Sequence, residues 1–167
     1  VNKFFLTLLL IVAIVVRIWI VQRSYFFGSD DTGYLGLAIN LLKSGNFSAP
    51  DGSWPIYPPF YPIFSSAVYY IFGYIIDLPS KLNFIIFSSG LAIPIFLITN
   101  KLYSRKEAII SSIIISIFPT FVLSQQALWA AAEHMEIFFV WFGIYFLWQG
   151  INKLKFDTLK NFLGQLD

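Results

Sequence analysis

The chain of 167 residues has no cysteine, one histidine and one methionine, and only 12% of it is charged. Without cysteine it is not a disulfide scaffold, and with a single histidine it has no thiolate- or imidazole-built metal site. Metals held by carboxylates stay open. The 11 basic and 9 acidic residues leave a net charge of +2, which excludes the dense positive surface that a nucleic-acid partner needs. A soluble domain carries about a quarter charged residues spread over its surface. Here the charges sit in a few clumps with long uncharged runs between them, so polar groups cannot cover the chain in water. What is abundant is apolar and aromatic: 57% hydrophobic residues, 20% aromatic, 19 of them Phe, with a mean hydropathy of +0.72. That content excludes disorder and makes lipid the solvent for most of the chain. The expected class is an all-α integral membrane protein in contact with the lipid bilayer.

A spanning helix needs roughly 20 mainly apolar residues. Four runs approach this: about 4–21, broken only by Arg17; about 82–100, between Lys81 and Lys101; about 108–132, between Glu107 and Glu133 with Pro119 inside; and about 137–152, ending at Lys153. A secretory signal is the rival reading of the first run, but WIVQRSYFF follows it in place of a small-x-small cleavage site, which favours a retained helix. The segment 63–76, IFSSAVYYIFGYII, is short, follows four prolines and contains Gly73, so it reads as interfacial or re-entrant. If it does not cross, Lys3, the Lys101/Arg105/Lys106 loop and the tail Lys153/Lys155/Lys160 share one side, which the positive-inside rule makes cytoplasmic. The expectation is one transmembrane domain with both termini in the cytoplasm. It has four spans, an outer loop over 22–80 and a Lys-bearing amphipathic tail over 153–167.

This topology puts Asp30, Asp31, Asp51, Asp77, Glu133 and Glu136 on the outer face, and a concentration of carboxylates against a membrane asks for a reason. Leu35, Ala38, Ile39 and Leu42 recur at helical spacing, predicting an amphipathic helix over 30–44, capped by Ser29 or Asp30 and stopped at Gly45. It is expected to lie in the membrane interface. One Asp serves a cap and the helix dipole; two adjacent ones exceed that need. The stretch NFSAPDGSWPIYPPFYPIF, with Tyr57 and Tyr61, is either an interfacial aromatic belt or a wall for a sugar or prenyl chain. Glu133 and Glu136 open the last run, and His134 between them reads as a bystander. Arg17 and Arg23, near the outer end of the first run, either snorkel or grip a lipid phosphate. Ser88, Ser89, Gly90, Ser111, Ser112 and Ser116 suit close helix contacts better than a transport pathway.

The order of these features carries a resemblance. A first span ends in Arg, an acidic pair Asp30-Asp31 is followed by Gly33-Tyr34, and an A-x-x-L-L-x-x-G helix leads to a Y-P-P-x-Y-P turn. A span closing on K-L-Y-S-R-K, a span with a mid-helix Pro and an acidic residue opening the next complete the series. Over about residues 4–150 this resembles the N-terminal part of the GT-C glycosyltransferases of the dolichyl-phosphate-mannose protein mannosyltransferase and lipid A aminoarabinose transferase branch. The resemblance implies transfer of a sugar from a polyprenyl-phosphate carrier to a lipid, protein or glycan acceptor on the extracytoplasmic face. It implies Asp30 as the catalytic aspartate, Asp31 where the family has Glu, a matching Tyr34, and Glu133, with Glu136 as its rival, as the later acidic residue.

The chemistry asks for the same groups. Transfer to a hydroxyl or amine needs a base, and a desolvated carboxylate is a better base near neutral pH. The departing lipid phosphate needs Arg17, Arg23, or a divalent ion held by Asp31 and Glu133. Family members are longer, so the chain is expected to be an N-terminal portion. The alternative is a non-catalytic membrane subunit that binds a lipid-linked sugar, or part of a transporter.

Overall fold

The computed structural model describes residues 3–22, 29–48, 57–117 and 132–163, with side chains over 4–22, 32–48, 57–117 and 132–153. Among these residues every regular element is helical. The elements are α1 (Lys3–Val21), α2 (Ser29–Ser44), α3 (Phe60–Phe72), α4 (Leu78–Asn83), a π-helical segment (Phe84–Ser88), α5 (Ala92–Leu102), α6 (Arg105–Ile117) and α7 (Glu133–Leu163). α4, the π segment and α5 run on as one helix from Leu78 to Leu102.

Punctuation residues account for most boundaries. α2 ends before Gly45, which takes φ +72°. Pro59 sets the entry to α3 at φ −73°, and Pro62 falls in the first turn, where its missing N–H leaves no helical bond unmade. Gly73 ends α3 at φ +82°, a conformation costly for residues with a Cβ, and its N–H donates to Tyr69 O at 3.0 Å. The helix therefore covers 60–72, earlier than the expected 63–76, because the two prolines start it and the glycine stops it. α4 starts at Leu78, four residues before the expected start of that span, with Pro79 in its first turn, and Pro94 again sits in a first turn, that of α5.

Two helices are long and apolar enough to cross a membrane, Phe4–Val21 and Leu78–Leu102. This narrows the four expected. The run over 108–132 is helical to Ile117, and its remainder with Pro119 lies almost entirely outside the described residues. The run over 137–152 belongs to α7, a single helix of 31 residues that continues into the expected tail. That run is short and is interspersed with Trp141, Tyr145, Trp148 and Gln149. The Gln149 amide donates to the Tyr145 hydroxyl at 2.9 Å.

The helices meet around Arg17, whose side chain is wholly buried. Its Nε donates to Ser88 Oγ at 2.5 Å and Nη2 to Ser88 O at 3.2 Å. Nη1 donates to Ala13 O at 3.1 Å and Ser116 O at 3.3 Å. One guanidinium thus ties α1 to the π segment and to α6, and no carboxylate pairs with it among the described residues. Ser88 Oγ in turn donates to Phe84 O at 2.5 Å, inside the widened turn. Arg17 therefore neither snorkels nor meets a ligand at the surface: helix packing has enclosed it. Ile20, Val21 and Phe84 pack into one apolar cluster between α1 and the π segment, and α5 and α6 form a close antiparallel pair in which Ser111 reaches Thr99 and Ser112 reaches Ala92 O. Gly90 lies directly under the ring of Phe138, which brings α7 onto this group.

At the turn between α5 and α6, Ser104 and Glu107 form a capping box. The backbone N–H of Lys106 donates to Ser104 Oγ, and the Ser104 hydroxyl donates to the Glu107 carboxylate. That hydroxyl, helped by backbone N–H groups of Glu107 and Ser104, holds the Glu107 carboxyl below its ordinary value.

Two predictions follow from these contacts. Replacing Arg17 by Leu takes the guanidinium donors from Ser88 and from the carbonyl of Ser116, and is expected to cost about 2–4 kcal/mol in thermal or denaturant unfolding of the detergent-solubilised protein, with Lys restoring only part. Because the folded-state value of Glu107 is depressed, its stabilising contribution is present above the ordinary glutamate pKa and is lost as pH falls through the depressed one. Carbon-13 titration by NMR should show that low value, and Ser104→Ala should raise it.

Candidate functional site

A second group of contacts collects aromatic residues from three parts of the chain. The ring of Tyr34, on α2, lies 4.4 Å from that of Tyr57 and 5.2 Å, edge-on, from that of Tyr61. Tyr57 precedes α3, and Tyr61 is buried in its first turn. This closeness depends on Gly33. A Cβ added there would stand 2.5 Å from the Tyr57 ring, inside any real contact distance, so the D-T-G-Y run gives Tyr57 its seat against α2. The buried Tyr61 hydroxyl is hydrogen-bonded to Ser80 Oγ at 2.8 Å, fastening the site to the start of the long helix.

Tyr61 also packs with Ala132 and Met135 at the head of α7, where Tyr34, Phe64 and Phe87 complete the cluster. Beside it lies a groove of about 290 Å³ lined by Pro58, Phe60, Tyr61, Ala132, Met135, Glu136 and Phe139. Phe60 and Phe139 meet edge-on at 4.9 Å on its wall, and a run of ring contacts continues along α7 through Phe138, Phe142 and Phe146. Pairs of this kind add about 0.5–1.5 kcal/mol each beyond their buried area. The wall is aromatic and apolar, with a single carboxylate, Glu136.

Of the residues singled out from sequence, Tyr34, Tyr57 and Tyr61 come together. Asp30 and Asp31 lie in the first turn of α2, one turn before Tyr34. Their side chains, and Arg23 altogether, lie outside the described residues. Glu133 and Glu136 both fall in the first turn of α7 and both are exposed, but only Glu136 lines the groove. His134 between them is buried, with Phe84 edge-on at 5.1 Å. Arg17 is remote in role, spent on the helix junction. Among the described residues no three His, Asp or Glu side chains gather as a metal site would require.

Sequence reasoning missed Gly33, Ser80 and Met135. Gly33 was readable in principle, since a glycine inside a helical pattern signals a close approach. Nothing local marks Ser80 or Met135. The expected amphipathic stripe is present on α2, and protein covers it. Leu35 and Ala38 pack with Tyr69 of α3, flanked by Ile39 and Leu42, so protein meets this face where the interface was expected.

Compared with known protein families, with characterised proteins and with solved structures, the chain matches none.

Gly33→Ala is expected to displace Tyr57 and to cost about 1–3 kcal/mol by overpacking. Ring-proton contacts between Tyr34 and Tyr57 should be lost by NMR, while those between Tyr61 and Met135 remain.

Proposed function

We propose that this chain is the membrane-embedded part of a glycosyltransferase that takes a sugar from a polyprenyl-phosphate carrier at the extracytoplasmic face. The observation that carries the reading is the convergence of the Tyr34–Tyr57–Tyr61 cluster, with the Asp30-Asp31 turn beginning one helical turn away, on an apolar groove bearing Glu136. An aromatic and apolar wall suits a prenyl chain or a sugar face, and carboxylates beside it suit acid–base work.

In this reading Asp30 is the general base. The acceptor oxygen or nitrogen attacks the anomeric carbon, its proton passes to the Asp30 carboxylate, and the carbon–oxygen bond to the lipid phosphate breaks with its electron pair leaving on the phosphate. One displacement inverts the anomeric centre. Arg17 is bound to Ser88, Ala13 and Ser116, so Arg23 is the arginine assigned to the phosphate. Of the two glutamates, Glu136 takes the later acidic role, because it is the one on the groove. Asp31 stays with the Asp30 turn as a further carboxylate, and no step here runs through a divalent ion.

The fuller topology belongs to the same proposal: four spans, α3 as a short helix at the outer face, and both termini cytoplasmic. It rests on the placement of Lys3, Lys101, Arg105, Lys106 and the tail lysines. The exposed apolar face of α1, from Phe4 through Leu8, Ile11, Val15 and Ile18, suits contact with lipid tails.

The test is transfer of radiolabelled sugar from membrane polyprenyl-phosphate donors by the intact protein, comparing wild type with Asp30→Asn. Asn keeps the size and capping ability of Asp without a basic carboxylate. Transfer is expected to fall roughly 10²–10⁴-fold at normal expression, with Glu136→Gln impaired more than Glu133→Gln. Unchanged transfer returns Asp30 to helix capping. Donor lipid bound but never transferred, by either protein, replaces the enzyme with a non-catalytic binding subunit.

A further inference from the structure

α2 runs out into an exposed turn that carries an N-x-S tripeptide, Asn46-Phe47-Ser48. It is the one place in the sequence where Ser or Thr follows Asn at the second position, and the residue between them is not proline. Gly45 takes the chain out of the helix at φ +72°, and a Cβ added there would meet nothing within 4 Å, so the turn borders open space. The helix holds the tripeptide in place. The Asn40 amide donates to Ser48 O and to Ser48 Oγ, each at 2.9 Å, and the Asn46 backbone N–H donates to Ser44 Oγ at 3.3 Å. The Asn46 side chain is not used in this way: it is exposed and makes no hydrogen bond among the described residues.

We propose that Asn46 is an N-glycosylation acceptor, modified from a lipid-pyrophosphate-linked oligosaccharide by a membrane oligosaccharyltransferase. The site rests on the outer placement of residues 22–80 and does not require sugar transfer by this chain. In the modification, Asn46 Nδ2 bonds to the anomeric carbon and gives up one proton to the transferase. The carbon–oxygen bond to the pyrophosphate breaks, and its electron pair leaves on the pyrophosphate. Ser48 supplies the hydroxyl that completes the acceptor motif. It accepts from Asn40 in the folded chain and keeps its own proton to donate. The attached glycan is bulky and needs a surface position, which an irregular turn beside open space provides and a packed helix face does not. The turn also stands at the opposite end of α2 from Asp30 and Asp31, about 20 Å along the axis. A glycan there leaves the tyrosine cluster and the groove open.

The test inserts the intact chain into endoplasmic-reticulum microsomes, which carry lipid-linked oligosaccharide, and reads its mobility with and without peptide N-glycosidase F. The wild-type chain is expected to run as a heavier species that the glycosidase returns to the polypeptide mass. Asn46→Gln and Ser48→Ala are each expected to lose that species, and Ser48→Thr to keep it. A wild-type chain without glycan, or a glycan that persists in Asn46→Gln, overturns the proposal. The chain has no cysteine, so Asn46→Cys carries a single thiol that reports the side of the turn. Labelling by an impermeant maleimide only after the microsomes are permeabilised puts the turn in the lumen, and a missing glycan then sinks the acceptor site alone. Labelling of sealed microsomes puts the turn in the cytoplasm and sinks the acceptor site and the outer topology together. Asn46→Gln is expected to leave sugar transfer by the chain unchanged, and a failure of Asp30 as base leaves the glycan readout where it was.

Discussion

A guanidinium buried among apolar helices must be satisfied by something, and in this chain backbone carbonyls and one serine hydroxyl do it. Arg17 spends its donors on Ala13 within its own helix, twice on Ser88 and once on Ser116, and so joins α1 to the π segment and to α6. Ser88 is the pivot, since it accepts from Arg17 at its hydroxyl and its carbonyl and donates to Phe84 within the π segment. The charge-assisted bonds and the widened turn support one another: a turn wound more openly presents its groups to the arginine. Loss of the arginine would take the donor from the buried Ser88 hydroxyl oxygen and from the carbonyl of Ser116, so the cost extends beyond the contacts that disappear.

From this junction outward the structure is aromatic. Phe84 carries the edge contact to His134, Phe87 meets Phe64 and Phe138, and the series along α7 ends the bundle on one side of the groove. The tyrosines differ from the phenylalanines in having a polar end. Tyr61 uses its hydroxyl on Ser80, which anchors the aromatic cluster to the long helix, and so the groove, the Asp30-Asp31 turn and the helix junction form one connected unit.

Local patterns in the sequence were legible where one residue or one period decides the outcome. The 3.6-residue spacing of Leu35, Ala38, Ile39 and Leu42 located α2 and its buried face, and Gly45 located its end. The prolines before Phe60 and the glycine at 73 mark the boundaries of α3, although the apolar run by itself suggested a later helix. The Ser104-to-Glu107 spacing is a capping box readable from four letters. The three tyrosines named from sequence do assemble, yet no spacing rule says that Tyr34 should lie on Tyr57.

What the sequence alone determined is that the chain is helical, which faces of its helices are apolar, and where prolines and glycines break them; it offered four apolar runs, of which the structure makes two, Phe4–Val21 and Leu78–Leu102, into helices long and apolar enough to cross a membrane. These are properties of neighbours along the chain, set by backbone hydrogen bonding and side-chain periodicity over one or two turns. Only the tertiary structure decided that Arg17 points inward, that α2 covers its stripe with α3, and that Glu136 lines the groove where Glu133 does not. Each depends on residues tens of positions apart being packed side by side. A charged or polar side chain has no preferred partner until packing removes water from around it, so its role is fixed by what remains within hydrogen-bonding reach.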